Sequence, residues 1–223
     1  MGDHERVSVF IDDAFAIGIS LLTLQRQGLY RGQVLTDEDW QRLERAVSDE
    51  RAWEAALRLL EVRPRAEREI ADRLRLKGYL PEQIDGVLVR LRELELVDDA
   101  RFARLWISNR AATKPKGALA LQRELLSKGV ARQVASDAIA ASTDPEHEAS
   151  ACLEVARQAA RRYSNVADWP TFQRKLGGLL QRRGFAWDAV GPTLRQVWQE
   201  RDTSDDATDQ DDLDEPGDYN EPE

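Results

Sequence analysis

The chain holds a single cysteine, Cys152, and two histidines, His4 and His147, among its 223 residues. One thiol cannot close an internal disulfide, so the expected home is a reducing compartment, the cytoplasm. Neither histidine has cysteine or carboxylate neighbours at metal-ligand spacing, so no metal site is expected. No cofactor is expected either, because the Walker-type phosphate loop, the dinucleotide glycine fingerprint and the G-x-S-x-G elbow are all missing. Cys152 falls on an apolar helical stripe, where a small buried hydrophobe fits better than a nucleophile. No apolar run approaches the roughly 18 residues that a membrane helix needs. The opening MGDHERVSVF has neither the basic start nor the long apolar core of a signal peptide. These absences argue against an enzyme and against a membrane partner.

What is abundant is charge, unevenly placed. The formal net charge is −9. Residues 202–223 hold eleven carboxylates and no Lys or Arg, whereas residues 61–201 hold 25 basic and 19 acidic side chains. The acidic end, DTSDDATDQDDLDEPGDYNEPE, has too little apolar surface to fold and is expected to be a disordered tail. It reads as a solubilising extension, with an acidic decoy for a basic face as the alternative.

Residues 1–50 read as a small N-terminal module. RVSVFI, the pair Asp12-Asp13 and AFAIGIS predict a β-hairpin with Phe10 and Phe15 buried or half-buried. LLTLQRQG predicts a short helix closed at Gly28, and Thr36 with Asp39 a capping box that opens a further helix. From Ala52 the apolar spacing is helical throughout. It also repeats, in LRLKGYLPEQI, LLSKGVARQV and LQRRGFAWDAV. Eight residues before the glycines Gly78, Gly129 and Gly184 stand Ile70, Leu121 and Leu176, and four before stand Leu74, Leu125 and Leu180. After them come Ile84, Val134 and Val190, the middle one loose by one residue, and then Leu88, Ile139 and Leu194. Leu94, Leu105 and Trp106 are also read as core.

The fold class is therefore mainly all-α, with three-helix repeats over 51–97, 98–143 and 144–201 and the tail over 202–223. A unit of about 50 residues buries little core alone, so stacking into a curved, elongated array is expected. Each glycine should close a middle helix at positive φ, with Lys77, Lys128 and Arg183 favouring the negative end of that helix.

Basic residues cluster around Pro64, along the helix that follows it, and in the second and third repeats. Many should belong to a solvated face with i,i+4 partners such as Glu69–Arg73, but an array can also align several against an anionic partner. Trp53, Trp106 and Trp198 fall at core positions, whereas Trp169 and Trp187 lie near helix starts with room for partial exposure.

Two longer stretches carry a family resemblance. VRPRAEREIADRLRLKGY contains R-x-R-x-x-x-E before its K-G, and LVDDARFARLWISNRAATKPKGALALQRELLSKGV contains D-D-x-R-F-A-R followed by K-x-K-G…L…EL…KG. Together they span residues 61–141 and strongly resemble RecX regulatory proteins; RVSVFIDDAFAIGIS…GLYRGQVLT is similar to the opening of longer relatives. The third repeat matches more generally, through LLQRRGF. The chain departs from the family at Ala66, where serine is more usual, and in its acidic tail.

The resemblance implies tandem three-helix repeats that bind the filament of RecA on single-stranded DNA. It implies negative modulation of ATP hydrolysis, strand exchange and co-protease activity, in DNA repair and the SOS response. The implied partner is that filament, with direct DNA contact open, and the protein is expected to be a monomer. The family supplies no catalytic set. Candidate contacts are the basic residues inside the matched motifs: Arg63, Arg65, Arg68, Lys77, Arg101, Arg104, Arg110, Lys114, Lys116, Arg123 and Lys128. Charge reversal at Arg104, Arg110 and Lys116 is expected to weaken filament binding with helicity intact. The alternatives are a helix-turn-helix-like regulator that binds DNA directly and a helical adaptor with a protein partner only.

Overall fold

A computed structural model describes the backbone of residues 6–210 and the side chains of residues 6–201. The chain divides into two compact units, residues 1–98 and 99–223.

The first unit opens with strands β1 (Arg6–Ile11) and β2 (Ala14–Ser20), paired antiparallel with Ile11 opposite Ala14. Asp12 and Asp13 take positive φ of 48° and 61°, the left-handed pair that a two-residue hairpin turn requires and that short polar side chains tolerate. Val7, Val9, Ile17 and Ile19 line the packed face, against Leu43 and Val47. Phe10 and Phe15 do not join them: they are 60% and 62% exposed and meet edge to face with centroids 6.0 Å apart. The expectation of buried phenylalanines fails because alternation already commits Val7 and Val9 to the core, which puts Phe10 on the other face. The register shift at Val9/Phe10 then brings Phe15 opposite Phe10 rather than onto the core side.

Helix α1 (Leu21–Arg26) is capped by the Ser20 hydroxyl, which accepts from the Thr23 amide, and Gly28 follows at φ 64°. Helix α2 (Asp37–Val62) opens on the Thr36–Asp39 capping box and continues unbroken for 26 residues. It passes straight through residue 50, so its first half packs on the hairpin and its second half, with Ala52, Ala55 and Ala56, serves the first helical triplet. Helices α3 (Glu67–Leu76) and α4 (Pro81–Glu93) complete that triplet around Ile70, Leu74, Ile84, Val87 and Leu91. Leu94, expected in the core, is 53% exposed. It caps α4 immediately before Glu95 turns the chain at φ 53°, and the turn points it outward.

Ala66 is the N-cap of α3 and, having no side-chain acceptor, leaves the first-turn amides without a cap bond. Its backbone, at φ −72° and ψ 152°, already has cap geometry. Ala66→Ser should therefore raise stability by about 0.5–1 kcal/mol. Urea denaturation checks this, and an unchanged midpoint would show that the buried site does not accept the hydroxyl.

The second unit carries two triplets. The first comprises α5 (Asp99–Thr113), α6 (Ala118–Ser127) and α7 (Arg132–Ser142), and the second α8 (Pro145–Ala160), a 3-10 turn (Arg161–Tyr163), α9 (Trp169–Arg182) and α10 (Trp187–Gln210). Phe102, Ala103, Ile107, Leu121, Leu125, Val130, Ala135 and Ile139 are buried in the former. Cys152, Ala156, Phe172, Leu176, Leu180, Phe185, Val190 and Leu194 form the core of the latter. Leu105 is 51% exposed rather than inward, because Phe102, Ala103 and Ile107 already define the buried stripe of α5. The loose register in the second repeat also resolves: Ala135, six residues after Gly129, is fully buried, and Val134 is only half-buried.

Gly78, Gly129 and Gly184 follow the middle helices at φ of 86°, 93° and 87°, with Lys77, Lys128 and Arg183 as the capping residues. The tail was expected to begin at residue 202, yet the α10 backbone runs on to Gln210. Residues 211–223 lie outside the described residues.

Candidate functional site

The eleven candidate cations, four in the first unit and seven in the second, differ in how they are engaged. Four of them are engaged by two carboxylates inside their own units. In the first unit, Arg63 and Arg65 stand in the loop before α3, and both reach Glu69 on its first turn. Arg63 Nη2 donates to Glu69 Oε1 at 2.5 Å and Nη1 to Oε2 at 3.1 Å, while Arg65 Nη1 also bonds Oε1. Arg65 Nε in addition donates to the Leu59 carbonyl at 2.8 Å, tying the loop to the end of α2. Arg65 and Glu69 expose only 11% and 16% of their side chains. Burial opposes ionisation of Glu69, but the bonds and charge from Arg63, then Arg65, outweigh it and hold the carboxyl below its ordinary range. The expected Glu69–Arg73 pair is replaced by these partners, and Arg73 is exposed.

The second unit repeats the device with different parts. Glu124 on α6 accepts from Trp106 Nε1 at 2.9 Å and Arg110 Nε at 2.8 Å, both on α5. Lys116, from the α5–α6 loop, bonds its other oxygen. Arg110 also lies over the Trp106 ring at 4.7 Å, and the Lys128 ammonium at 5.1 Å. Burial pushes the Glu124 carboxyl up, but the bonds from Lys116, Arg110 and Trp106 more than reverse this and bring it down to about 2. Both units therefore hold a middle-helix carboxylate with two cations, from the preceding loop alone in the first (Arg63 and Arg65) and from the loop and α5 in the second (Lys116 and Arg110).

One correction follows for the charge-reversal triple. Arg110 and Lys116 cannot be reversed with the fold untouched, since Glu124 would then face like charge in a half-buried setting. Glu69 and Glu124 are the partners that sequence reasoning missed; the E of each motif was the available signal.

The other candidates differ among themselves. Arg68 is exposed and only grazes Asp72, at 4.0 Å. Lys77 caps α3 and is exposed. Arg101 is exposed and partnered. Arg104 and Lys114 are exposed and make no ion pair with any described residue. Arg123 is exposed and donates to the Leu119 carbonyl one turn back, at 3.1 Å. Trp187 is 51% exposed, while Trp40, Trp53, Trp106, Trp169 and Trp198 are half-buried, so of the six tryptophans only Trp187 is displayed.

A further contact joins the two triplets of the second unit. The α6 N-terminus has no side-chain cap. Its amides are met instead from the neighbouring triplet: Gly117 N donates to the Arg183 carbonyl at 3.1 Å, Leu119 N to the Gly184 carbonyl at 3.3 Å, and Ala118 N to Glu148 Oε1 at 3.2 Å. A methyl group on Gly117 would fall on the Gly184 carbonyl, and one on Gly184 on the Ala120 backbone. The start of α6 thus abuts the end of α9, and positive and negative helix ends meet. Cys152 is fully buried; burial pushes its thiol up, only partly offset by a bond with Thr193, so it is not poised as a nucleophile. Among the described residues, no group of three His, Cys, Asp or Glu side chains could hold a metal ion, and no helix is long and apolar enough to cross a membrane.

Tandem three-helix domains, some of whose cations lock loops internally while others stay displayed, define a helical-repeat protein. The chain belongs to the RecX family: models of the first, second and third three-helix domains of RecX match residues 52–91, 98–139 and 146–191. Among relatives, "Regulatory protein RecX" of Listeria monocytogenes is 29% identical over 208 residues, covering 92% of this chain and 76% of the relative. That of Lactobacillus johnsonii is 32% identical over 141 residues, 63% of this chain and 52% of the relative. A crystal structure of regulatory protein RecX superposes with a TM-score of 0.73 at 23% identity, over 84% of this chain and 94% of that one. RecX from Lactobacillus salivarius gives 0.63 at 25% identity, over 68% and 97%. The family is one of regulatory proteins, not of enzymes, and the role of this chain is regulatory.

Proposed function

We propose that this protein binds the filament of RecA on single-stranded DNA and restrains its ATP hydrolysis, strand exchange and co-protease activity. The observation that carries the reading is the occurrence of all three RecX three-helix domains, in order, on one chain; RecA as the target is what the sequence resemblance implies. The described part of the second unit supports an anionic partner, with 17 basic against 10 acidic side chains over residues 99–201. Arg104 and Lys114 are the best-placed contacts, because they are exposed and outside the Glu124 lock. Arg123 and Lys77 are also exposed, and Arg110 and Lys116 act by shaping the loop between α5 and α6.

ATP hydrolysis by RecA on single-stranded DNA, titrated with this protein well below one per RecA monomer, is the test. Inhibition is expected at such ratios. Arg104→Glu combined with Lys114→Glu should need roughly tenfold more protein, about 1.4 kcal/mol of binding, with an unchanged circular dichroism spectrum. Unaltered potency of the double variant would remove these two residues from the interface. Absence of inhibition at equimolar protein would favour the direct DNA-binding or adaptor reading.

A further inference from the structure

The hairpin of the first unit carries an aromatic pair that its own core does not use. Phe10 and Phe15 are cross-strand partners, 60% and 62% exposed, with ring centroids 6.0 Å apart. Plain alternation along β2 would put Phe15 inside with Ile17 and Ile19, which belong to the packed face. Instead the pair Val9–Ile17 is followed directly by Phe10–Phe15, so Ala16 is an extra residue in β2 that turns Phe15 outward. The bulge thus forgoes the burial of a large ring and sets it beside a second ring in solvent. At the turn, Asp12 and Asp13 hold φ of 48° and 61° and add two carboxylates next to the rings. The other face of the hairpin is fastened, with Val7, Val9 and Ile17 packed around buried Ile19, Leu43 and Val47. The rings therefore stand on an anchored element.

Surface composition sets the first unit apart in the same sense. Of the sixteen large apolar side chains exposed among the described residues, thirteen belong to the first unit. Residues 1–98 carry 15 basic and 20 acidic side chains, against 17 and 10 over residues 99–201. The unit that bears the hairpin is thus the apolar and net negative one, which suits a protein surface better than a polyanion.

We propose that the Phe10–Phe15 pair is an anchor for a protein partner whose surface offers an apolar pocket to the two rings and a cationic rim to Asp12 and Asp13. The inference rests on the filament reading above and assigns this contact to the protein component of the filament rather than to its DNA. Charge selects among the occupants. Nucleobases stack on exposed aromatic rings, but the phosphates that accompany them would meet the two carboxylates of the turn. Tip-to-tip pairing of two copies would bring Asp12 and Asp13 of both chains together, like charge on like. Residues 202–223, with eleven carboxylates and no Lys or Arg, share the sign of the turn. The two rings expose roughly 200–300 Å² together, too little for a whole interface of about 1,200 Å² or more. They act as one anchor within a larger contact, the role in which buried aromatic side chains contribute most.

The experiment measures binding of the full-length chain to RecA filaments assembled on single-stranded DNA with a non-hydrolysable ATP analogue, and to the same DNA without RecA. Phe10→Thr with Phe15→Thr keeps strand-forming residues and should weaken filament binding about tenfold or more, with affinity for bare DNA unchanged. Phe10→Leu with Phe15→Leu should lose less, because it keeps apolar volume. Asp12→Asn with Asp13→Asn preserves a turn that asparagine tolerates. It should weaken filament binding about threefold at 50 mM NaCl, the difference closing at 500 mM as the rim attraction is screened. The photoreactive residue p-benzoylphenylalanine in place of Phe15 should crosslink to the RecA polypeptide and not to DNA. Amide exchange over β1 and β2 checks that the hairpin persists in each variant; where the threonine pair unfolds it, the asparagine pair and the crosslink decide. A native chain that does not bind the filament overturns the filament reading and this inference with it. Undiminished binding by the threonine pair, with the native chain bound, overturns the anchor alone. An equal loss on bare DNA also overturns it, because the rings would then stack on bases. So does self-association of the native chain that the threonine pair abolishes, because the occupant would then be a second copy.

Discussion

Gly184→Ala is expected to destabilise the second unit by about 2–5 kcal/mol, far more than the same change at Gly78. Both glycines sit just past a middle helix at nearly the same φ, 87° and 86°. A left-handed alanine costs about 1–2 kcal/mol at either place. The surroundings differ. A methyl group on Gly78 meets nothing within 4 Å, whereas one on Gly184 falls on the backbone of Ala120 at the start of α6. Backbone cannot rotate aside as a flexible side chain does, so overpacking adds about 1–3 kcal/mol. It also separates Leu119 N from the Gly184 carbonyl and Gly117 N from the Arg183 carbonyl, and the lost hydrogen bonds add to the cost. Gly117→Ala, at an ordinary φ, isolates the clash from the backbone strain and should cost about 1–3 kcal/mol. Native-state hydrogen exchange reads each unit separately through amides of α3 and α6. Equal losses at Gly78 and Gly184 would show that the two triplets do not depend on this contact.

That comparison also shows what the sequence could disclose. The phase of the repeat was legible because a left-handed residue after a helix is a local requirement, satisfied by glycine whatever lies around it. Hence Gly78, Gly129 and Gly184 locate all three middle helices, and the apolar residues four and eight positions earlier are buried in each. Nothing local distinguishes Gly184, which another triplet touches, from Gly78, where an added methyl group meets nothing within 4 Å. The continuity of α2 was hidden for a related reason: residues 48–52, SDERA, contain neither a stop nor a strong reason to continue, and only packing on both sides decides the matter. The cations were misjudged most. Helical spacing suggests partners four residues away, as in Glu69–Arg73, yet the loop arginines Arg63 and Arg65 reach Glu69 first and desolvate it. Motif residues that resembled contacts for a partner thus turned out to be locks, while Arg104 and Lys114, on the same stretch, stay displayed. Of the apolar residues read wrongly, Phe10 and Phe15 lie where a strand shifts register, Leu94 where α4 ends, and Leu105 beside the buried stripe of α5.

Glu124→Gln should be the more informative of the lock variants, because it nearly preserves shape and removes only charge. Arg110 and Lys116 expose 28% and 29% of their side chains and Glu124 19%, so solvent screens the cluster only in part. Bringing the carboxyl from 4.5 down to about 2 corresponds to a gross contribution of about 3 kcal/mol, reduced by that screening to about 2. The sign is fixed by the direction of the shift. The unfolded chain takes up the proton near pH 4.5, whereas the folded chain resists until about pH 2. The stabilisation is therefore complete above about pH 4.5 and disappears as the pH falls towards 2. Urea denaturation at pH 7, 4.5 and 3 should show a steeper acid loss for the native chain than for Glu124→Gln, with the curves converging at the acid end. Glu124→Leu should cost more than Glu124→Gln at pH 7, since it takes the shared acceptor from Trp106 Nε1, Arg110 and Lys116 in a part-buried site. If the pH dependence of Glu124→Gln matches that of the native chain, the carboxylate is not what holds the α5–α6 loop. The K-x-K-G segment would then owe its geometry to Gly117 and its backbone contact with α9 alone.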